Sequence, residues 1–123
     1  MEFLTVATDI FEPLRLEYLR QGPTVVVRVL GEVDLASAPV LGEALGELID
    51  GQGNLSVQLD LEDLAFIDST GIGVLVRALR SVRRRGGDLT LANCRPGTMR
   101  ILEIAGLVEI FGVSRDDQAA AAG

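Results

Sequence analysis

The residues with most scope for chemistry lie in one run, Asp68-Ser69-Thr70-Gly71-Ile72-Gly73, with further acids upstream at Asp60, Glu62 and Asp63. A serine next to an aspartate fits three chemistries: nucleophilic catalysis, metal-assisted transfer, or acceptance of a phosphoryl group. The first needs a histidine for a Ser-His-Asp or Cys-His apparatus, and the chain has none. Histidine-based zinc sites go with it. Every one of the 11 basic residues is arginine, so the Gly-Lys-Ser/Thr of a phosphate-binding loop is absent. The acids resemble the Mg²⁺ site of aspartate-phosphorylated receiver domains, but such domains carry a lysine near the acceptor. They read as solvated loop residues, and no metal or cofactor is expected. Gly71-Ile72-Gly73 starts like a dinucleotide fingerprint, yet Val76 stands where the third glycine belongs. Its glycines are read instead as permitting close backbone approach.

That leaves the Ser69 hydroxyl as a phosphate acceptor, with Thr70 as second choice. The plain role of a serine opening a helix is an N-cap worth about 1 kcal/mol, and position alone favours it. A phosphate would nonetheless be tolerated at a helix N-terminus. It would add roughly −1.5 to −2 charges beside Asp68, and near Asp34 and Asp63. A docking penalty of about 3 kcal/mol weakens binding more than 100-fold, enough for a switch.

The elements that must position this serine follow from periodicity. Residues 14–20 alternate apolar and polar, the mark of a strand with one solvated face, and Gln21-Gly22-Pro23 is a turn. Residues 24–30 are β-branched and almost continuously apolar, as in a central strand. A helix is expected over about 36–50, with Val40, Leu41, Ala44, Leu45, Leu48 and Ile49 inward, Ser37 or Asp34 as cap, and Gly51 and Gly53 as its end. A strand at 55–61 leads to a second helix at about 69–85, whose inward stripe is Ile72, Leu75, Val76, Leu79 and Val82. Arg83, Arg84 and Arg85 suit its negative C-terminal end. A strand at 88–92 and a short helix from Pro96 to about Ala105 follow. Residues 108–113 read as a short strand or extended segment, and 114–123 as a frayed tail. The first dozen residues carry no clear pattern.

Strand, helix, strand, helix, strand implies parallel strands with right-handed crossovers, and the tight turn at 21–23 makes the strand before it antiparallel. The expected class is α/β: a small mixed sheet of about 4–5 strands, the central ones parallel, packed with about 3–4 helices. The loops 31–34, 63–70 and 93–96 then meet at the C-terminal edge of the parallel strands, where sites of such folds gather. Phe66 and Ile67 are read as local core with a possible rim role in docking.

The 123 residues make one domain, 1–123, with a core over about 14–113. At 48% hydrophobic residues a real core is affordable in area. No apolar run reaches 18 residues, so no membrane insertion is expected, and the opening Met1-Glu2-Phe3-Leu4 lacks the basic start of a signal peptide. The single Cys94 fits a reducing compartment and reads as a small core residue. A net charge of −7 opposes nucleic acid and anionic membranes as partners. The expected location is cytoplasmic.

Two segments resemble a known family: Gly31-Glu32-Val33-Asp34-Leu35-Ala36-Ser37-Ala38-Pro39, weak alone, and the highly specific Leu61–Gly73, followed by Gly86-Gly87-Asp88-Leu89 and Leu102–Leu107. Over about residues 14–113 the chain resembles STAS domains, specifically bacterial anti-sigma factor antagonists. The resemblance implies the STAS fold, no enzymatic activity, and a cycle of partner exchange. The unphosphorylated antagonist binds an anti-sigma factor with serine kinase activity and so frees a sigma factor for transcription. Phosphorylation of the serine after the motif aspartate, here Ser69, breaks that complex, and a serine phosphatase reverses it. Asp34, Asp68, Thr70 and Gly71 would share the docking surface. Monomer and weak dimer both fit. A different reading is an accessory STAS subunit of a membrane lipid or anion transport system; the intact Asp68-Ser69-Thr70-Gly71 favours the first. An enzyme of phosphoryl transfer is disfavoured by the missing Lys and His.

Overall fold

A computed structural model describes the backbone of residues 5–11 and 13–114, and the side chains of 13–112. The strands are β1 (Thr5–Phe11), β2 (Leu14–Gln21), β3 (Thr24–Val33), β4 (Ser56–Asp60), β5 (Leu64–Ile67), β6 (Asp88–Ala92) and β7 (Gly112–Ser114). The helices are α1 (Ala38–Gly46), which widens into a π turn over Glu47–Gly51, α2 (Ser69–Arg84) and α3 (Pro96–Ile104).

The sheet is mixed, as the α/β reading required, in the order β1-β2-β3-β4-β6-β7, with β5 also pairing β3. β2 meets β3 antiparallel across the turn at Gly22, while β3, β4, β6 and β7 run parallel. Among the described residues it holds seven strands where about 4–5 were expected. The additions are β1 on the edge, antiparallel to β2, and β5, which lay inside a segment read as loop. Of the segment 108–113 read as strand or extended, residues 108–111 instead form a turn closed by bonds to the Leu107 carbonyl, and only 112–113 are strand. β7 runs on to Ser114, placed in the tail by the sequence, which pairs with Ala92. The rest of that tail, 115–123, lies outside the described residues.

Burial follows the periodicities. Val25, Val27 and Val29 on β3 and Val57 and Leu59 on β4 are buried on one face, against Leu41, Leu45, Leu48 and Ile49 of the first helical segment. That helix starts at Ala38 rather than about 36, because an Asp34 turn occupies the preceding residues. Leu48 and Ile49 stay buried through the π turn, as the expected inward stripe required. On α2 the buried set is Ile72, Val74, Leu75, Ala78, Leu79 and Val82, while the expected Val76 is only half-buried.

Two glycines fix how the site edge is built. Gly31 has φ +101, and a side chain there would collide with the Pro13 carbonyl oxygen, so β2 and β3 can close up only around a bare Cα. A Cβ on Gly71 would lie 2.6 Å from Ile67 Cγ1 and 2.7 Å from Val33 Cγ1, so the first turn of α2 rests directly on the ends of β3 and β5. This is the close approach expected of the Gly71-Ile72-Gly73 run, but Gly71 alone requires it. Nothing nearer than Arg77 Nη1, at 3.8 Å, would meet a Cβ on Gly73.

Candidate functional site

The three loops converge because the strand register makes them. Val33 pairs with Ile67 at the end of the β3–β5 ladder, and the Asp68 N–H donates to the Val33 carbonyl at 3.1 Å. Both strands thus end together, and each is followed at once by an aspartate, Asp34 and Asp68. The Asp63 carbonyl accepts from the Gly31 N–H at 3.0 Å. On the far side, Arg95 Nε donates to the Glu62 carbonyl at 2.7 Å and Asn93 Nδ2 to Asp60 Oδ1 at 3.1 Å, tying the 93–96 loop to the same edge.

Asp68, not Ser69, caps α2. Its extended backbone and the bond from the Gly71 N–H to its Oδ1, at 3.1 Å, are those of an N-cap. The β3 hydrogen bond at Asp68 N sets this start and leaves Ser69 as the first helical residue. Ser69 is exposed, and among the described residues no side-chain hydrogen bond engages its hydroxyl. Thr70 is half-buried and Gly71 buried. Of the five residues assigned to a docking surface, Asp34, Asp68, Ser69 and Thr70 offer surface at this edge, whereas Gly71 acts through packing.

Asp34 is bound up in its own turn. Its Oδ1 accepts from the N–H groups of Ala36 and Ser37, each at 3.0 Å. The Ser37 hydroxyl accepts from the Asp34 N–H at 2.9 Å and shares its proton between the Glu32 carbonyl, at 3.0 Å, and Asp34 Oδ1, at 3.1 Å. These bonds, the Ser37 N–H first, favour the carboxylate over the acid and hold the Asp34 pKa below its ordinary value against the opposing effect of desolvation. Of the upstream acids, Asp60 and Asp63 have a structural partner in Arg28. Arg28 faces Glu17 at 3.4 Å, Asp60 at 3.9 Å and Asp63 at 3.5 Å. Among the described residues, no three Cys, Asp or Glu side chains are grouped to hold a metal ion.

Apolar side chains complete the edge. Ile67 is buried, as expected, but Phe66 is 49% exposed and Leu35 74% exposed. Ile104, on α3, which contacts β5, is 79% exposed. Leu35 and Ile104 were not singled out by sequence reasoning. The signal available for Leu35 was its place inside the Asp34 turn, which forces the residue between two anchored neighbours outward.

A mixed sheet whose parallel strands deliver a free serine at the head of a helix defines a small α/β module with a site at the strand ends. The chain belongs to the STAS domain family, whose model matches residues 15–120. It is 39% identical to an anti-sigma-B factor antagonist of Bacillus subtilis over 88 residues, covering 72% of this chain and 79% of that one. Among solved structures, an anti-sigma factor antagonist from Mycobacterium paratuberculosis superposes with a TM-score of 0.75 at 24% identity, covering 88% of this chain and 92% of its own. The phosphorylated form of the Bacillus cell fate determinant SpoIIAA superposes with a TM-score of 0.65 at 23% identity, covering 89% and 97%. The resemblance drawn from the motifs is borne out. No helix among the described residues is long and apolar enough to cross a membrane.

Proposed function

We propose that this chain is a cytoplasmic anti-sigma factor antagonist, a single STAS domain without enzymatic activity, switched by phosphorylation of Ser69. Unphosphorylated, it docks the strand-end edge onto an anti-sigma factor that is also a serine kinase, and the sigma factor is released. The kinase then transfers the γ-phosphoryl group of ATP. The Ser69 O–H bond breaks, an Oγ–P bond forms, the bond from the γ-phosphorus to the bridging oxygen breaks, and ADP leaves as a base on the kinase takes the proton. The dianion sits beside Asp68 on an edge that also presents Leu35 and Phe66, so redocking must desolvate it, and the complex stays apart until a serine phosphatase hydrolyses the ester.

The observation that carries this reading is the exposed, unengaged Ser69 hydroxyl at the head of α2. Support comes from the names of the relatives and from the exposed apolar side chains of Leu35 and Phe66 at the same strand ends. The transporter-subunit reading gains no comparable support from the site. Incubation with the cognate anti-sigma kinase and ATP should phosphorylate the parent chain stoichiometrically. Ser69→Ala should take up no phosphate and hold the kinase persistently. Phosphate incorporation into Ser69→Ala at the parent level refutes the assignment.

A further inference from the structure

The outer face of α2 is basic in an otherwise acidic chain. The helix has no acid, and Arg77, Arg80 and Arg84 are exposed along it. At 100° per residue, Ser69, Gly73, Arg77, Arg80 and Arg84 lie within about 80° of arc. The neighbouring arginines are occupied: Arg83 bonds Asp88 at 3.0 Å and the Ile110 carbonyl at 2.6 Å, and Arg85 bonds Asp50 at 3.1 Å. Among the described residues, no hydrogen bond or close ion pair engages Arg77, Arg80 or Arg84, although the charge of Arg84 helps to lower the Asp50 pKa.

Arg77 is the member of this row whose guanidinium lies back over the turn at Gly73, on the side toward Ser69. Helical side chains lean toward the N-terminus, and Arg77 Nη1 lies 3.8 Å from where a Cβ on Gly73 would stand. One turn further on is Ser69, and Cβ atoms one turn apart are separated by about 5–6 Å. The glycine leaves the path between them clear. The Asp68 carboxylate already takes the Gly71 N–H of the helix terminus, and its charge opposes a second anion there. The acids of this corner, Asp68 on α2 and Asp34 and Glu32 on the adjoining strand end, carry the same sign as a phosphate.

We propose that Arg77 is the counterion of phosphorylated Ser69, reaching over Gly73 to hold the phosphate along α2. The proposal rests on the reading of Ser69 as the acceptor. It makes the phosphorylated state a defined surface in which the repulsion from Asp68 is offset within the molecule. Arg80 and Arg84, a turn or more further along, lie out of reach.

The test is a ³¹P NMR pH titration of the full chain with phosphoserine genetically encoded at position 69, so that no kinase is involved. The second ionisation of phosphoserine ordinarily falls at about pH 6. It should lie about 0.2–0.7 units lower with Arg77 present than in Arg77→Gln, as an exposed ion pair gives. Arg77→Lys should retain much of the difference, Arg84→Gln should leave the parent value unchanged, and about 1 M salt should abolish it. Coincident titrations of the parent and Arg77→Gln overturn the proposal. So does an equal shift in Arg84→Gln, which would mean only the general field of the helix. Kinase labelling at Thr70 would defeat the reading of Ser69 but leave the titration standing.

Discussion

The strand-end edge contains two aspartate–serine pairs that open two helices, and they behave oppositely. In the first, Asp34 and Ser37 are three residues apart, and the serine returns beneath the turn. Ser37 is fully buried, and its hydroxyl is engaged by Glu32 and Asp34. In the second, Asp68 and Ser69 are adjacent. Asp68 takes the cap, the helix begins on Ser69, and the exposed hydroxyl takes no part in the bonds that hold the turn. Both carboxylates accept from the amide three residues on. The acid therefore does the same structural work twice, and the spacing to the serine decides whether a hydroxyl is locked or left open to another protein.

The comparison breaks most sharply by deleting each hydroxyl. Ser37→Ala strands the Asp34 N–H and the Glu32 carbonyl in a buried place and should cost about 1–3 kcal/mol in urea unfolding. Ser69→Ala should stay within about 0.5 kcal/mol of the parent, as an exposed substitution does. Comparable losses at both positions would mean that Ser69 supports the fold and is not free. The next effect is smaller and concerns the floor of the second pair. Gly71→Ala drives a methyl into Val33 and Ile67 and should destabilise by about 1–2 kcal/mol after the gain in helix propensity. Gly73→Ala meets open space and should be neutral or stabilising by up to about 1 kcal/mol. Equal behaviour of the two glycines would show that α2 does not rest on the strand ends as described.

Much of this was legible in the sequence. The alternation in β2 and β4 and the stripe of α2 come from side-chain periods of 2 and 3.6, which report burial directly. The convergence of the loops followed from parallel strand order. β5 was missed because only four residues form it and their burial does not alternate, Leu64 and Ile67 inward with Ala65 and Phe66 both outward. A strand held by one neighbour in a pairing with a bulge at Gly31 leaves no period to read. The cap was assigned to Ser69 rather than Asp68 for a related reason. Serine and aspartate cap equally well by type, and the choice was made by the tertiary bond from Asp68 N to Val33. Gly73 and Arg77 look unrelated in sequence, and only the side chain's path over the glycine connects them.

The smallest expected effect probes the electrostatics of the locked pair. The Asp34 pKa is held below its ordinary value by the Ser37 and Ala36 amides and the Ser37 hydroxyl. A group whose pKa is lower folded than unfolded stabilises the fold above its unfolded pKa, and that contribution fades as pH falls through the folded value. Asp34→Asn keeps a carbonyl oxygen for the same amides but removes the charge that strengthens those bonds. The variant should therefore be slightly less stable than the parent at about pH 6–7, and the two should converge as pH drops below the ordinary carboxylate range, about 3.9. Asp50, whose pKa is lowered by bonds from Ser81 and Arg85 on α2 and just beyond it, titrates in the same sense, so Asp34→Asn should be compared with Asp50→Asn across that window. A stability gap between parent and Asp34→Asn that persists undiminished at low pH would show that the turn depends on the shape of the side chain and not on its charge. The two helix starts would then differ only in where their serines point.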